Sequence, residues 1–172
     1  MTADVDPRSL SAEALRLERA GRLDEAAAVY QRLLARWPGL ADTWFNLAVV
    51  QRKAGRFDAA LASYQQALVH GVSQPEEVHL NRGVIYADCL RRDDDAQAEL
   101  RAALSLNPVY VPALLNLANL QEDLGQRDEA LALYERALAI AVRCHLALAR
   151  YASLKTATGP DAAVTARLQQ AL

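Results

Sequence analysis

The sequence predicts an all-α fold made of repeated helix pairs, and three observations lead to this prediction. Within the 172 residues, segments 54–68 and 124–138 share Gly, Asp, Ala, Leu, Tyr and a closing Ala-Leu at identical offsets. Apolar residues recur at three- and four-residue spacing, which is typical of amphipathic helices. Glycines fall where the first helix of each pair should end, because glycine readily adopts the left-handed conformation found there.

The composition excludes several classes of protein. Nineteen Lys and Arg residues against 21 Asp and Glu residues give a net charge of -2, so nucleic acid and anionic membranes are not expected partners. The first twenty residues contain acidic side chains where a signal peptide needs an apolar run, and no apolar stretch of 18 residues follows. Cys89 and Cys144 are too few for a disulfide scaffold and fall in apolar patterns that suit small buried residues. We therefore expect a cytoplasmic protein.

Each repeat is predicted to contain two helices joined by a turn. In the second repeat the first helix covers residues 42–54 and stops at Gly55, and Gly21, Gly125 and Gly159 occupy the same place in other repeats. An aspartate recurs near the start of the second helix, where a carboxylate can cap free backbone N–H groups and complement the positive helix end. These residues are Asp24, Asp58, Asp94 and Asp128.

The same residue types recur at fixed positions of the second and fourth repeats. The second repeat has Trp44, Leu47, Ala48, Gly55, Ala60, Tyr64 and Ala67, and the fourth has Leu114, Leu117, Ala118, Gly125, Ala130, Tyr134 and Ala137. These offsets resemble the tetratricopeptide repeat, a helix-turn-helix unit of about 34 residues.

The resemblance implies a right-handed superhelical α-solenoid of about five helix-turn-helix units, with first helices on its concave side. A flexible tail at 1–6 is expected to precede one domain at 7–172. Its repeats would cover about residues 7–40, 41–75, 76–110, 111–144 and 145–172.

Small residues in this pattern are expected to let paired helices approach closely. They are Ala14, Ala48, Gly83, Ala118 and Ala152 in first helices and Ala26, Ala60, Ala96 and Ala130 in second helices. The large aromatic residues Tyr30, Trp44, Tyr64 and Tyr134 are expected in the core. The third repeat fits only with one extra residue near the segment CLRRDDD, so we expect a looser turn there.

Three asparagines are spaced 35 residues apart at the sixth position of successive first helices. They are Asn46, Asn81 and Asn116, and Asn119 lies one helical turn after the last of them. A side-chain amide can bind the backbone of an extended peptide whatever its side chains are. The arrangement resembles the asparagine ladder in the repeat domain of O-GlcNAc transferases, where such residues hold substrate backbone. The alternative is that these asparagines only make local hydrogen bonds.

Apolar and charged residues accompany the asparagines on the groove side of the repeats. Phe45 is expected to add apolar contact. Basic residues, including Arg52 and Lys53, fall in the first two repeats, whereas acidic residues, including Asp88 and Asp123, fall in the next two. One hypothesis is that a ligand binds with its acidic part over the first group and its basic part over the second. A solvated face of mixed charge is the alternative.

The sequence offers no clear machinery for catalysis. His70, His79 and His145 are too scattered for a helix-borne metal pair, and the run 93–95 lacks the glycine and glutamate spacing of a calcium loop. No glycine is left over for a phosphate loop. We therefore expect no enzymatic activity, no metal and no cofactor.

The function that the resemblance implies is a protein-protein interaction module that binds an extended peptide or partner segment in its concave groove. One alternative is the repeat portion of a larger bacterial glycosyl- or sulfo-transferase-type enzyme. Another is a self-associating scaffold, because the fifth repeat lacks a polar closing helix and Val164, Leu168 and Leu172 form an apolar stripe. Homodimerisation through this end would cover the stripe.

Overall fold

The computed structural model describes residues 6–156, which form helices and connecting turns without any strand. The nine α-helices of this part are α1 (Pro7–Arg19), α2 (Leu23–Arg36), α3 (Ala41–Lys53), α4 (Phe57–Val69), α5 (Pro75–Val84), α6 (Asp93–Leu106), α7 (Val111–Asp123), α8 (Arg127–Ile140) and α9 (His145–Thr156). A π-helix, Ile85–Leu90, continues α5. The predicted all-α fold of helix pairs is confirmed.

The chain divides into two compact units, Met1–Val78 and His79–Leu172, and the division falls within α5. In the N-terminal unit, α1 packs on α2, α2 on α3, and α3 on α4. In the C-terminal unit, the successive neighbours α6, α7, α8 and α9 pack in the same way. This pairing of sequential helices is the pattern expected of stacked helix-turn-helix units.

The buried residues are those that the repeat pattern places inside. Tyr30, Tyr64 and Tyr134 are buried, whereas Trp44 lies only at the edge of the core and donates its indole N–H to the Pro38 carbonyl at 2.7 Å. The prediction of a core position for Trp44 is therefore wrong in part, because its indole nitrogen needs a polar partner at the surface. Seven alanines at the close-packing positions have no exposed surface: Ala14, Ala26, Ala48, Ala60, Ala96, Ala118 and Ala130.

Glycine closes the first helix in three of the repeats, as predicted. Gly21, Gly55 and Gly125 have φ values of 74°, 74° and 73°. The third repeat has Arg91 at this point instead, with φ 55°. The Arg92 N–H bonds the Tyr86 carbonyl six residues back, whereas the matching bonds in the other repeats span five residues. The extra residue therefore lies inside the π-helix, and the turn itself is not loosened.

Exchanging residue types at these left-handed positions should change stability in opposite directions. Arg91→Gly is expected to raise the free energy of unfolding by up to about 1 kcal/mol, because the left-handed conformation costs a non-glycine residue about 1–2 kcal/mol. Gly125→Ala should lower it by about 1 kcal/mol, although no atom lies near the added methyl group. Urea unfolding measures both, and a stabilising Gly125→Ala would contradict the backbone explanation.

The recurring aspartates do not cap the second helices, so this prediction is wrong. The N-cap residues of α2, α4, α6 and α8 are Arg22, Arg56, Arg92 and Gln126, and none of them makes a side-chain capping bond. Each aspartate is instead the second helical residue, because a single residue separates the left-handed turn residue from the start of the helix. Its charge still complements the positive helix end.

Buried glutamines at equivalent places in α3 and α7 have different surroundings. Gln51 accepts a hydrogen bond from the buried Ser63 hydroxyl at 2.7 Å. Gln121 has no exposed surface and no hydrogen bond within 3.5 Å, and Leu133 stands where the earlier repeat has the serine. Arg101 and, to a smaller extent, the nearby Gln121 amide lower the pKa of Glu129. Burial therefore removes water from the Gln121 amide, and only the weak interaction with Glu129 replaces it.

Removing the two amides should have opposite effects on stability. Gln121→Leu is expected to raise the free energy of unfolding by about 1 kcal/mol, because a buried polar group without a partner is costly. Gln51→Leu should lower it by about 1 kcal/mol, since it leaves the Ser63 hydroxyl unpaired. Chemical denaturation of the two variants and the wild type checks this, and equal destabilisation by both would show that Gln121 has a compensating interaction.

Two further features concern the surface. Cys89 is exposed on the π-helix and Cys144 is partly buried, so the prediction of two buried cysteines is wrong. For Cys89, the extra residue in the π-helix changes which side chains of the third repeat face inward, whereas Cys144 still packs at the edge of the core. Among the described residues, no helix combines the length and the apolar character needed to cross a membrane.

Candidate functional site

A pocket of about 270 Å³ lies in the C-terminal unit, and we call it the C-terminal pocket. Its walls come from the end of α5 with the π-helix, the start of α6, and α7, and α9 contributes one residue. The polar side chains most relevant to binding are Asp88, Asn116, Asn119, Glu122, Asp123 and Arg150. The pocket is therefore lined mainly by residues of first helices.

The helical repeat of α7 explains which side chains reach the pocket. Leu114, Leu117 and Ala118 are buried against the core, whereas Asn116 and Asn119 are only partly buried. Asn116 and Asn119 are three residues apart and lie on the pocket side as neighbours.

A hydrogen-bond network holds the asparagines of the C-terminal pocket. Asn116 Nδ2 donates to the Pro112 carbonyl at 2.8 Å. The Tyr134 hydroxyl lies 2.6 Å from Asn119 Oδ1 and 2.9 Å from Glu122 Oε2, and because the carboxylate can only accept, the hydroxyl proton is shared between these two groups. Burial, and then the hydrogen bond and charge of Glu122, raise the pKa of Tyr134. Although its ring belongs to the core, as predicted, its hydroxyl group orders the residues that line the pocket.

The pocket carries an excess of negative charge. Asp88, Asp93, Glu122 and Asp123 line it together with only two arginines, Arg91 and Arg150. The contact between Arg150 and Glu122 is long, at 3.4 Å.

The Glu99 carboxylate, outside the pocket, has closer nitrogen partners than Glu122 has. The Glu99 carboxylate is held by His79 at 2.7 Å and by Arg82 at 2.8 Å. Glu122 instead meets Arg150 at the longer distance of 3.4 Å, so the pocket favours positively charged or N–H-donating groups.

A smaller cleft of about 150 Å³ surrounds Phe45 in the N-terminal unit. The Phe45 ring meets Tyr64 edge to face, with ring centroids 5.6 Å apart. Asp42 and Glu77 flank the cleft, and the Asp42 carboxylate accepts hydrogen bonds from the Ser73 backbone N–H and hydroxyl. Burial raises the pKa of Tyr64 to about 12, and the neighbouring Arg52 guanidinium offsets only part of this effect.

The structure brings some of the predicted site residues together. Asn116, Asn119, Asp88 and Asp123 all line the C-terminal pocket. Asn81 is partly buried on α5 in the same unit and is not part of the pocket lining.

The other predicted groove residues, Phe45, Asn46, Arg52 and Lys53, belong to the N-terminal unit. Asn46 is exposed. Lys53 is 2.7 Å from Glu18, so its charge is already paired.

Some functional features were not predicted from the sequence. The tyrosine hydroxyl of the fourth repeat reaches an asparagine because position 9 of that repeat is Asn119. The second repeat has Val49 at the same position. The sequence therefore already showed that the fourth repeat combines this asparagine with the tyrosine. Arg91 lines the pocket directly after the π-helix that holds the extra residue of the third repeat. Val164, Leu168, Leu172 and Gly159 lie outside the described residues.

Comparison with known families identifies the repeat. One model of the tetratricopeptide repeat matches residues 11–75 and 48–88, and a second matches residues 113–150. The chain belongs to the tetratricopeptide repeat (TPR) family. No curated protein matches the sequence of this TPR protein.

Solved structures resemble this TPR protein over most of its length. A crystal structure of MamA protein has a TM-score of 0.79 at 20% identity, covering 96% of this chain and 90% of MamA. YrrB, described as a TPR protein with an unusual peptide-binding site, has a TM-score of 0.71 at 18% identity, with coverages of 96% and 84%. PilW, a type IV pilus biogenesis factor, has a TM-score of 0.71 at 24% identity, with coverages of 87% and 68%. These similarities establish an α-solenoid of TPR units.

Proposed function

We propose that this TPR protein is a non-catalytic interaction module that binds an extended segment of a partner protein along its first helices. The observation that carries the proposal is the C-terminal pocket, because its walls belong to successive first helices and it offers amides and carboxylates for a polypeptide. The likeness to YrrB, which has a peptide-binding site, is consistent with this function. The asparagines Asn46, Asn81 and Asn116 are proposed to bind partner backbone.

The charge of the C-terminal pocket indicates a basic partner segment. Asp88 and Asp123 are exposed, and the contact between Glu122 and Arg150 is long, at 3.4 Å. A lysine or arginine side chain entering the pocket would supply the missing positive charge. In the N-terminal unit, the pairing of Lys53 with Glu18 leaves less positive charge for an acidic partner segment. We therefore favour the part of the charge hypothesis in which a basic partner segment binds over the acidic residues of the third and fourth repeats.

A capped peptide library tests this function directly. Seven-residue peptides with lysine, alanine or glutamate at alternate positions are titrated against the whole chain by fluorescence anisotropy. We expect the lysine peptides to bind most tightly. The double substitution Asp88→Asn with Asp123→Asn should weaken their binding about tenfold, because each lost charge pair contributes only modestly at a partly exposed site.

A matched control separates the pocket from the charge of the whole protein. Asp58→Asn with Asp128→Asn removes the same two charges from exposed positions outside the pocket. This control should bind the lysine peptides almost as the wild type does at about 0.15 M salt, where distant charges are screened. Equal weakening in both double variants, or preference for glutamate peptides, would contradict a basic partner segment in this pocket.

Self-association is a second candidate function, favoured by exposed apolar residues beside the connection between α8 and α9. Ile140, Val142 and Leu146 are 45%, 60% and 53% exposed. Large apolar groups that remain on a surface often mark contacts with another chain. We expect the mass from light scattering to rise with concentration and Val142→Ser with Leu146→Ser to suppress that rise. A constant monomer mass in the wild type would exclude self-association.

A further inference from the structure

We propose that Arg150 is a specificity-determining residue of the C-terminal pocket. In the free protein its guanidinium holds the place beside Glu122 that a cationic side chain of the partner takes on binding. Arg150 thereby sets how strongly the pocket prefers basic over neutral segments. This inference rests on the proposed function and adds the residue with which the charge of the partner competes.

Arg150 reaches the C-terminal pocket from a helix that is firmly packed. Ala147 and Tyr151 of α9 are buried, and the Tyr151 hydroxyl donates to the Glu135 carboxylate of α8 at 2.6 Å. The backbone that carries Arg150 is therefore fixed against α8. Only the side chain of Arg150 extends from this base to line the pocket, beside residues of α7 and the π-helix.

The contact between Arg150 and Glu122 is weak enough to be exchanged. Arg150 Nη1 lies 3.4 Å from Glu122 Oε1, and the arginine side chain is 53% exposed. Ion pairs with an exposed partner contribute little to stability, because water screens the attraction and the long side chain loses freedom when it is held. Arg150 can therefore leave Glu122 for solvent without disturbing the packing of α9.

Glu122 offers one oxygen to a cation. Its Oε2 atom lies 2.9 Å from the hydroxyl of Tyr134, whose ring is buried, so this oxygen faces the core side of the pocket. Oε1 is the atom that Arg150 contacts. A cation of the partner and Arg150 would both have to lie at Oε1, where their like charges repel. The two groups therefore exclude each other.

The other charges of the pocket favour the exchange for a basic partner. The carboxylates Asp88, Asp93 and Asp123 also line the pocket, so an incoming cation meets several negative groups. The displaced guanidinium regains its water. A neutral side chain has no charge with which to displace Arg150, so the arginine stays beside Glu122. Competition by Arg150 is consequently confined to basic segments.

Arg150→Gln tests this competition with the whole chain and the peptide library. It removes the guanidinium charge and keeps a polar side chain. We expect lysine peptides to bind about three- to fivefold more tightly than to the wild type, and alanine peptides to bind no more tightly. Arg143→Gln is the matched control, because Arg143 is exposed in the same unit and outside the pocket lining. At about 0.15 M salt it should change the affinity less than about 1.5-fold.

A double-mutant cycle assigns the effect to Glu122. Glu122→Gln alone should weaken the binding of lysine peptides, because it removes the carboxylate for which both cations compete. Arg150→Gln added to Glu122→Gln should strengthen binding less than about twofold. Circular dichroism checks that all variants have the helicity of the wild type. A full gain from Arg150→Gln in the absence of the Glu122 carboxylate would overturn the competition.

NMR follows the displacement of Arg150 directly. The Nε–H signal of Arg150 is assigned by its absence from the spectrum of Arg150→Gln. Saturation of the wild type with a lysine peptide should shift this signal, because the guanidinium leaves Glu122, whereas the Arg143 signal should stay in place. An Arg150 signal that does not respond to a bound lysine peptide would overturn the exchange.

The outcomes distinguish this inference from the proposed function. If lysine peptides bind neither the wild type nor Arg150→Gln below about 1 mM, both are overturned. If they bind the wild type with the expected dependence on Asp88 and Asp123, but Arg150→Gln and Arg143→Gln bind alike, only the competition is overturned. An equal gain for lysine and alanine peptides in Arg150→Gln would also overturn it, because the competition acts through charge.

Discussion

Raising the pH from 9 to above 12 should lower the free energy of unfolding by about 3 kcal/mol through Tyr64 alone. Burial raises the pKa of this side chain to about 12, compared with about 10 in an unfolded chain, and each pKa unit corresponds to about 1.4 kcal/mol. Between these values the unfolded state has lost a proton that the folded state keeps. The stabilisation is therefore complete below pH 10, falls as the pH rises through 12, and then levels off.

Tyrosine-to-phenylalanine variants isolate this contribution. Urea unfolding at several pH values between 8 and 12 should show a shallower decline for Tyr64→Phe than for the wild type. The pKa of Tyr134 is also raised, first by burial and then by Glu122, so Tyr134→Phe should flatten the decline as well. Absorbance of tyrosinate near 295 nm follows ionisation independently. An identical pH dependence in all three proteins would show that neither buried hydroxyl controls alkaline stability.

Gly83→Val should lower the free energy of unfolding by about 3 kcal/mol. A Cβ atom at this position would lie 2.8 Å from Leu100 Cγ and 3.0 Å from Leu100 Cδ2. Overpacking a well-filled contact typically costs 1–3 kcal/mol, and valine adds three carbon atoms rather than one. The gain in helix propensity over glycine is well below 1 kcal/mol and does not offset this. Urea unfolding followed by circular dichroism measures the difference.

A double-mutant cycle attributes the effect to the close contact. Leu100→Ala alone should be destabilising by about 2–5 kcal/mol, because it leaves a cavity. Combined with Gly83→Val, it should cost less than the sum of the two single effects by at least about 1 kcal/mol. Ala98→Val places the same side chain on the exposed face of α6 and should cost less than about 0.7 kcal/mol. Simple additivity in the cycle would contradict the explanation.

The candidate site was predictable only in part. Asn81 and Asn116 occupy the same position of successive repeats. Of these two, only Asn116 lines the C-terminal pocket. In the third repeat, the π-helix carries Asp88 into the pocket wall, and Arg91 takes the left-handed turn position. A sequence shows that one residue is extra. It does not show whether a turn or a helix will absorb that residue.

Hydrogen-bond partners were not predictable from the pattern for a related reason. The repeat assigns Tyr134 to the core and Asn119 to the surface, and both assignments hold for the bulk of each side chain. Whether the hydroxyl and the amide meet depends on distances of a few tenths of an ångström between two helices. The same applies to Lys53, whose charge is paired by Glu18 from a different helix.

The sequence by itself determined the helices, their pairing and the glycine turns, because these depend on residue type at fixed offsets along one chain. Periodic apolar residues define the buried face of each helix, and glycine at 21, 55 and 125 ends a helix through its own backbone freedom. The tertiary structure alone decided where the pocket lies, which carboxylates have close cationic partners and which groups the asparagine side chains contact. These properties depend on contacts between side chains of different helices, whose distances no periodicity encodes.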